Sequence, residues 1–146
     1  MPTKKTTPGF SDFEREAMKN RAKELAAEAK AKKNRAVGEK AALDAIAEMT
    51  GSDKEIAKKI HDIMHEHAPN LLPKTWYGMP AYANKEGKVI CFFQAAKKFE
   101  SRYATFGFQD SAKLDDGNLW PTTFAITKMT ATEEKKIVEL VKQAIS

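Results

Sequence analysis

The three histidines of this chain lie within one seven-residue stretch, HDIMHEH, at residues 61–67. His61 and His65 have the spacing of the metal-binding pair in the H-E-x-x-H box of zinc proteases, with Asp62 in place of the glutamate. In that box the two imidazoles hold the zinc ion and the glutamate acts as a general base. The stretch therefore suggests metal-dependent hydrolysis as a first hypothesis.

A helical projection separates these histidines into a pair and a single residue. At ~100° per residue, His61 and His65 share one side of the predicted helix, and His67 lies roughly 120–160° away from them. The pair and Asp62 are within reach of one metal ion, but a third protein ligand would have to be a carboxylate brought in by folding. His67 falls in the apolar sector of the helix, which is formed by Ile56, Ile60, Ile63 and Met64.

We therefore expect His61 and His65 to be exposed surface histidines, and His67 to hydrogen-bond a carbonyl group at the edge of the core. The chain has no other histidine, no C-x-x-C pair and no phosphate-binding glycine loop. We predict no catalytic, cofactor-binding or metal-binding residues and favour a non-enzymatic binding module, while catalysis in its pocket stays open as an alternative. Metal binding by His61 and His65 stays open as an alternative.

A denser group of candidate residues lies in TWYGMPAYANKEGKVICFFQ, residues 75–94. Gly78 and Pro80 predict a bulge or kink in the first strand, because glycine adopts unusual backbone angles and proline cannot donate a ladder hydrogen bond. Such irregularities are frequent beside binding sites. We expect a partly open pocket with aromatic rings for apolar contact and an arginine for an anionic group, unless the rings are simply core. Its candidate residues are Trp76, Tyr77, Met79, Tyr82, Phe93, Arg102 and Trp120.

The order of sequence patterns predicts an α+β fold. Residues 12–33, 39–49 and 52–67 have helical composition or spacing, with Gly38 separating the first two helices. Short aromatic and β-branched runs follow from residue 75, and a closing helix begins near Thr130. We expect a small twisted antiparallel sheet of four to five strands with helices packed on one face, preceded by an N-terminal helical extension.

Composition divides the chain into a predicted disordered tail at 1–10, a helical extension at 11–35 and a single domain at 36–146. Residues 1–35 hold ten Lys/Arg against five Asp/Glu, whereas the rest holds fifteen of each, so the net charge of +5 belongs to the first segment. Few aromatic residues accompany this charge, and we expect a solvated helix rather than a nucleic-acid interface.

The chain has no run approaching the ~20 apolar residues that cross a bilayer. A single cysteine, Cys91, permits no internal disulfide and is expected to be a buried thiol. We expect a cytoplasmic protein without membrane contact, a monomer or weak homodimer, that binds an unknown small molecule or protein partner through the aromatic-lined face.

With WYGMPAY, GKVICFFQAAKKFESRYATFGF and WPTTFAI in this order, the chain resembles the YdhG-like family, whose domains have no known function. The resemblance covers roughly residues 40–145, and Gly78-Met79-Pro80 is its most specific part. It implies a cytoplasmic α+β domain with a twisted antiparallel sheet backed by helices and no established catalytic residues. Some members are described as frataxin-like iron chaperones, which implies iron binding as the alternative function.

Overall fold

The computed structural model describes residues 12–146, so the predicted disordered tail at 1–10 lies outside the described residues. The described chain divides into two compact units between Ala36 and Val37. The first consists of helical residues, and the second holds the sheet and the other helices. The elements are α1 (Asp12–Ala47), α2 (Gly51–His67), β1 (Leu72–Trp76), β2 (Met79–Ala83), β3 (Val89–Gln94), β4 (Ala104–Phe108), β5 (Thr123–Ile126) and α3 (Ala131–Ala144).

The five strands form one antiparallel sheet in the order β1-β2-β3-β4-β5, which confirms the predicted α+β class and strand number. Each strand pairs with its sequence neighbour, because short turns can join antiparallel strands without a crossover. The register shifts between Tyr82 and Ala83 where β2 pairs with β3. The two edges of the sheet are therefore β1 and β5.

The main core lies on the sheet face that α2 and α3 cover. Tyr82, Phe93 and Phe106 are almost completely buried there, and Ile60 of α2 and Val141 of α3 belong to the same cluster. The closing helix begins as predicted, because the Glu133 carboxylate accepts a hydrogen bond from the Thr130 backbone N–H in a capping box. None of the described helices is both long and apolar enough to span a membrane.

Gly38 does not end a helix, which corrects the predicted break before residue 39. α1 runs without interruption from Asp12 to Ala47. A Cβ atom on Gly38 would lie 2.2 Å from the Pro73 carbonyl oxygen. The glycine is therefore explained by the close approach of α1 to β1, a role that local sequence cannot distinguish from helix termination.

The expected kink at Gly78-Met79-Pro80 is also wrong, because the chain turns completely at this point. Trp76 pairs with Met79, so Tyr77 and Gly78 form a two-residue hairpin turn between β1 and β2. Both turn residues have positive φ, 52° at Tyr77 and 77° at Gly78, as the type I′ hairpin turn requires. The glycine supplies the turn, and Pro80 lies inside β2.

Candidate metal centre

Two histidines of α2 and one carboxylate of α1 converge within the second unit. One ligand atom from each of Glu39, His61 and His65 lies within 4.8 Å of the others, the one such group of three found among the described residues. The His65 Nε2 atom contacts Glu39 Oε1 directly, and His61 Nε2 lies 3.5 Å from the same oxygen. Two imidazole nitrogens and a carboxylate oxygen therefore point at a common volume.

The apolar faces of both helices bring these side chains together. In α2, the core residues Ile60 and Met64 fix the rotation of the helix, and His61 and His65 lie one turn apart along its side. In α1, Glu39 precedes the buried residues Ala42 and Ile46 by three and seven positions, so its side chain shares their inward-facing stripe.

The sheet holds the ring of His61 through its second nitrogen. His61 Nδ1 lies 2.9 Å from the Tyr82 hydroxyl oxygen, and both residues are buried. When Nδ1 carries the proton and donates to Tyr82, the lone pair of Nε2 is free to bind a metal ion. In the other tautomer Tyr82 donates to Nδ1, and Nε2–H is directed at Glu39. A hydrogen bond of this kind orients the metal-binding imidazole in many proteins.

Burial keeps His61 in the neutral form that coordinates metals. Desolvation lowers its pKa below the usual value, the neighbouring His65 lowers it further, and Glu39 and Asp62 act in the opposite direction. Burial also raises the pKa of the Tyr82 hydroxyl well above its usual range, so the tyrosine remains a neutral partner. In the tautomer that is protonated at Nδ1, His61 can therefore bind a cation through Nε2 without first losing a proton.

The site is closed on one side and open on the other. The side chain of His61 is 8% exposed, whereas those of Glu39 and His65 are 31% and 44% exposed. Three protein ligands with an accessible side are typical of sites that leave a coordination position for water or for an exchanging ligand. Structural zinc sites, by contrast, supply four protein ligands.

The prediction that His61 and His65 are both exposed is correct for His65 and wrong for His61. His67 does not join the pair, as the helical projection predicts, and it is partly buried. Its Nε2 lies 3.2 Å from the Glu66 carboxylate rather than on a carbonyl group. Asp62 is exposed and lines a different cleft, so it does not occupy the position of a general base beside the pair.

The seven residues of the expected aromatic pocket do not share one surface. Tyr82 and Phe93 lie on the helix-covered face and are 1% and 0% exposed. Met79 belongs to a small separate cluster with Ala81 and Phe92, and Trp76 packs against this cluster. Since Ala81 alternates with Tyr82 along β2, that cluster lies on the opposite face of the sheet.

The remaining three candidates are also separated from one another. Tyr77 is 80% exposed at the hairpin turn. Arg102 is exposed, with its guanidinium carbon 5.1 Å from the centre of the Tyr103 ring. Trp120 is half-buried against the main core. On the surface, the β1–β2 hairpin brings Trp76, Tyr77 and Met79 together, whereas Tyr82 and Phe93 share the buried core with Trp120 at its edge.

Glu39 is the functional candidate that sequence reasoning misses. It stands 22 positions before His61, and metal-site motifs are recognised by short spacings. The available signal is helical periodicity, since a carboxylate on the same stripe as Ala42 and Ile46 is directed toward the core. A carboxylate at such a position needs a cationic or hydrogen-bonding partner.

Comparisons with protein-family models, curated proteins and solved structures find no match for this chain. The resemblance to the YdhG-like family stays a prediction based on the motifs of residues 76–126.

Proposed function

We propose that this protein binds a divalent transition-metal ion through Glu39, His61 and His65. The observation that carries the proposal is the convergence of one carboxylate oxygen and two imidazole nitrogens within 4.8 Å. The hydrogen bond between His61 and Tyr82 supports it, because it is compatible with a free lone pair on the inner ligand. Among the functions expected from the sequence, metal handling therefore has the strongest geometric support.

The donor set selects the class of ion. Imidazole nitrogen suits Zn²⁺, Fe²⁺, Ni²⁺ and Cu²⁺, whereas Mg²⁺ and Ca²⁺ prefer sites built from oxygen. Two histidines with one carboxylate also form the ligand set of non-haem iron sites. The open side suits an ion that is exchanged or that binds a further ligand, and the frataxin-like alternative falls within this class.

Cobalt(II) titration of the metal-stripped full chain tests the proposal, because d–d absorption bands appear when Co²⁺ is coordinated by protein ligands. We expect one ion per chain with a dissociation constant below about 10 μM, about 7 kcal/mol of binding free energy. Calorimetry with Zn²⁺, Fe²⁺ and Ni²⁺ then ranks the ions.

Matched variants separate this site from adventitious histidine binding. Glu39→Gln and His65→Gln alter partly exposed ligands and are expected to weaken binding at least tenfold, whereas His67→Gln leaves it unchanged. Millimolar affinity in the wild type, or equal affinity in all three variants, would refute the proposal.

A binding function for the aromatic residues is a second and narrower proposal. It rests on Tyr77, which is 80% exposed next to Trp76 at a ring-centroid distance of 5.0 Å. The exposed Tyr77 ring, held edge-on to the half-buried Trp76 ring, offers a stacking surface for a planar small molecule. Tryptophan fluorescence against a metabolite library tests it, and a response that persists in Tyr77→Ala would contradict it.

A further inference from the structure

The two edges of the sheet differ in how accessible their backbone groups are. On the β1 edge, Pro73 has no N–H, and its carbonyl oxygen is closely approached by α1 at Gly38. On the β5 edge, no further strand pairs with Thr123–Ile126 in the part of the chain that the structure describes. An unprotected edge strand is a template for an additional strand.

The hydrogen-bond register shows which groups of β5 point away from the sheet. The Phe108 N–H donates to the carbonyl of Thr122 at 2.7 Å, so the residue directly before β5 bonds toward the sheet. Because such positions alternate in an antiparallel ladder, Phe124 and Ile126 also bond inward. The backbone groups of Thr123 and Ala125 therefore face outward, and both residues are exposed.

An apolar groove runs beside this edge, between β5 and α3. It has a volume of about 390 Å³, and apolar side chains from both elements line it. These are Phe106, Phe124, Ile126, Ile137 and Leu140. An added antiparallel strand would direct the backbone N–H and C=O groups of alternate residues toward β5, where they would pair with Thr123 and Ala125. A residue opposite Phe124 would then direct its side chain to the same sheet face as Phe124, which is the groove side.

The rim of the groove carries more free positive than negative charge. Lys128 and Lys136 line it and are exposed. The one carboxylate in the lining, Glu133, accepts the hydrogen bond from the Thr130 N–H; bonding to Thr130 and, to a smaller extent, the charge of Lys128 lower its pKa, so the lining holds two positive charges against one negative charge. An acidic side chain of a ligand would therefore meet two lysines.

We propose that the β5 edge and the adjoining groove bind an extended peptide segment of a partner protein as a sixth strand. The segment has apolar side chains at alternate positions, which enter the groove, and acidic residues near Lys128 and Lys136. Main-chain hydrogen bonds supply affinity and the groove supplies specificity, as in other strand-addition complexes. This inference is independent of the metal site.

A displayed library of random heptapeptides, selected against the full-length protein, tests the proposal. We expect a consensus with apolar residues at alternate positions and Asp or Glu beside them. The consensus peptide should perturb the amide NMR signals of Thr123, Ala125 and the groove face of α3. Ala125→Pro removes an outward-facing N–H and should reduce affinity at least tenfold.

Charge variants keep the test decisive if the proline variant is unfolded. Lys136→Glu should weaken binding severalfold and reduce its salt dependence, whereas Lys135→Glu, next to it but outside the groove lining, should not. The inference is overturned if no consensus emerges, or if the selected peptides bind Lys136→Glu as tightly as the wild type. It is also overturned if light scattering shows that a second copy of the chain occupies the edge, as a dimer abolished by Ala125→Pro.

Discussion

His61 Nδ1 lies 2.9 Å from the hydroxyl oxygen of Tyr82, and this contact joins the candidate metal centre to the central strands of the sheet. Tyr82 lies on β2, which pairs with β1 on one side and β3 on the other. The inner ligand is therefore positioned by the most buried part of the fold, whereas Glu39 and His65 are reached from solvent. The geometry of the site and the stability of the core depend on the same hydroxyl group.

Removing that hydroxyl should affect both metal binding and stability. Tyr82→Phe keeps the aromatic ring but leaves the buried Nδ1 of His61 without its partner, at a cost of about 1–3 kcal/mol in the free energy of unfolding. Metal affinity should fall about 10–100-fold, as when other groups that orient a ligand are removed. Urea unfolding and Co²⁺ titration measure the two effects. Tyr103→Phe, at an exposed ring, is the matched control, and equal Co²⁺ affinity in both variants would contradict this prediction.

Metal binding should stabilise the folded protein by mass action. An ion at 100 times its dissociation constant adds about 2.7 kcal/mol to the free energy of unfolding, provided that it does not bind the unfolded chain. Thermal unfolding with and without Zn²⁺ measures the gain. The gain should largely disappear in Glu39→Gln and persist in His67→Gln; a gain that survives in Glu39→Gln would place the ion elsewhere.

The metal-free protein should lose stability in mildly acidic solution. Because burial lowers the pKa of His61, the unfolded chain binds more protons than the folded one between the lowered value and about 6.5. The free energy of unfolding is therefore highest above pH ~6.5, where His61 is neutral in both the folded and the unfolded chain. It decreases as the pH falls from ~6.5 through the lowered pKa. Urea unfolding at several pH values, with a chelator present, measures the slope. His61→Gln should flatten it, and an unchanged slope in that variant would assign the effect to other groups.

Replacing Gly38 with alanine should destabilise the protein, although the same change usually stabilises a helix by about 1 kcal/mol. The new Cβ would lie 2.2 Å from the Pro73 carbonyl oxygen, so α1 and β1 must move apart. We expect a net loss of about 1–3 kcal/mol, as in other overpacked sites. Asn34→Ala, at an exposed position of the same helix, controls for helix propensity. A Gly38→Ala variant that is more stable than the wild type would contradict the close approach.

Tyr77 should be replaceable by glycine with a gain in stability. Its φ of 52° lies in the left-handed region, which costs a non-glycine residue about 1–2 kcal/mol. Its ring is 80% exposed, so little burial is lost on replacement. Urea unfolding of Tyr77→Gly tests this, with Glu100→Gly at φ 53° as a matched site. A loss of stability at Tyr77 alone would show that contact with Trp76 outweighs the backbone strain.

The sequence predicts the α+β class and an antiparallel sheet of four to five strands because hydrophobic periodicity is a local signal. The expected break at Gly38 and the expected kink at Gly78 are wrong for a common physical reason. A glycine can end a helix, permit close packing or form a turn, and tertiary contacts decide among these roles. The close approach to Pro73 decides the role of Gly38, and the pairing of Trp76 with Met79 decides that of Gly78.

The metal site is also only partly predictable from the sequence, because residues far apart in the chain meet there. The His61–His65 pair is visible in the sequence, and the need for a carboxylate follows from chemistry. The sequence does not show which carboxylate takes this position, because that depends on how Glu39 of α1 packs beside α2. The aromatic residues differ from the metal ligands, because they are close in sequence but separate in the fold. Strand alternation places Tyr82 and Met79 on opposite faces of the sheet.

The contrast between the two sheet edges also limits how this protein can self-associate. Two copies that join through β5 would form one continuous ten-stranded sheet around a two-fold axis. Both outer edges of that dimer would be β1, where Pro73 and the contact with Gly38 obstruct a further strand. Any β-sheet association would therefore stop at a closed pair instead of growing into a fibril. The close packing of one helix on one strand thus gives the sheet a single end from which it can be extended.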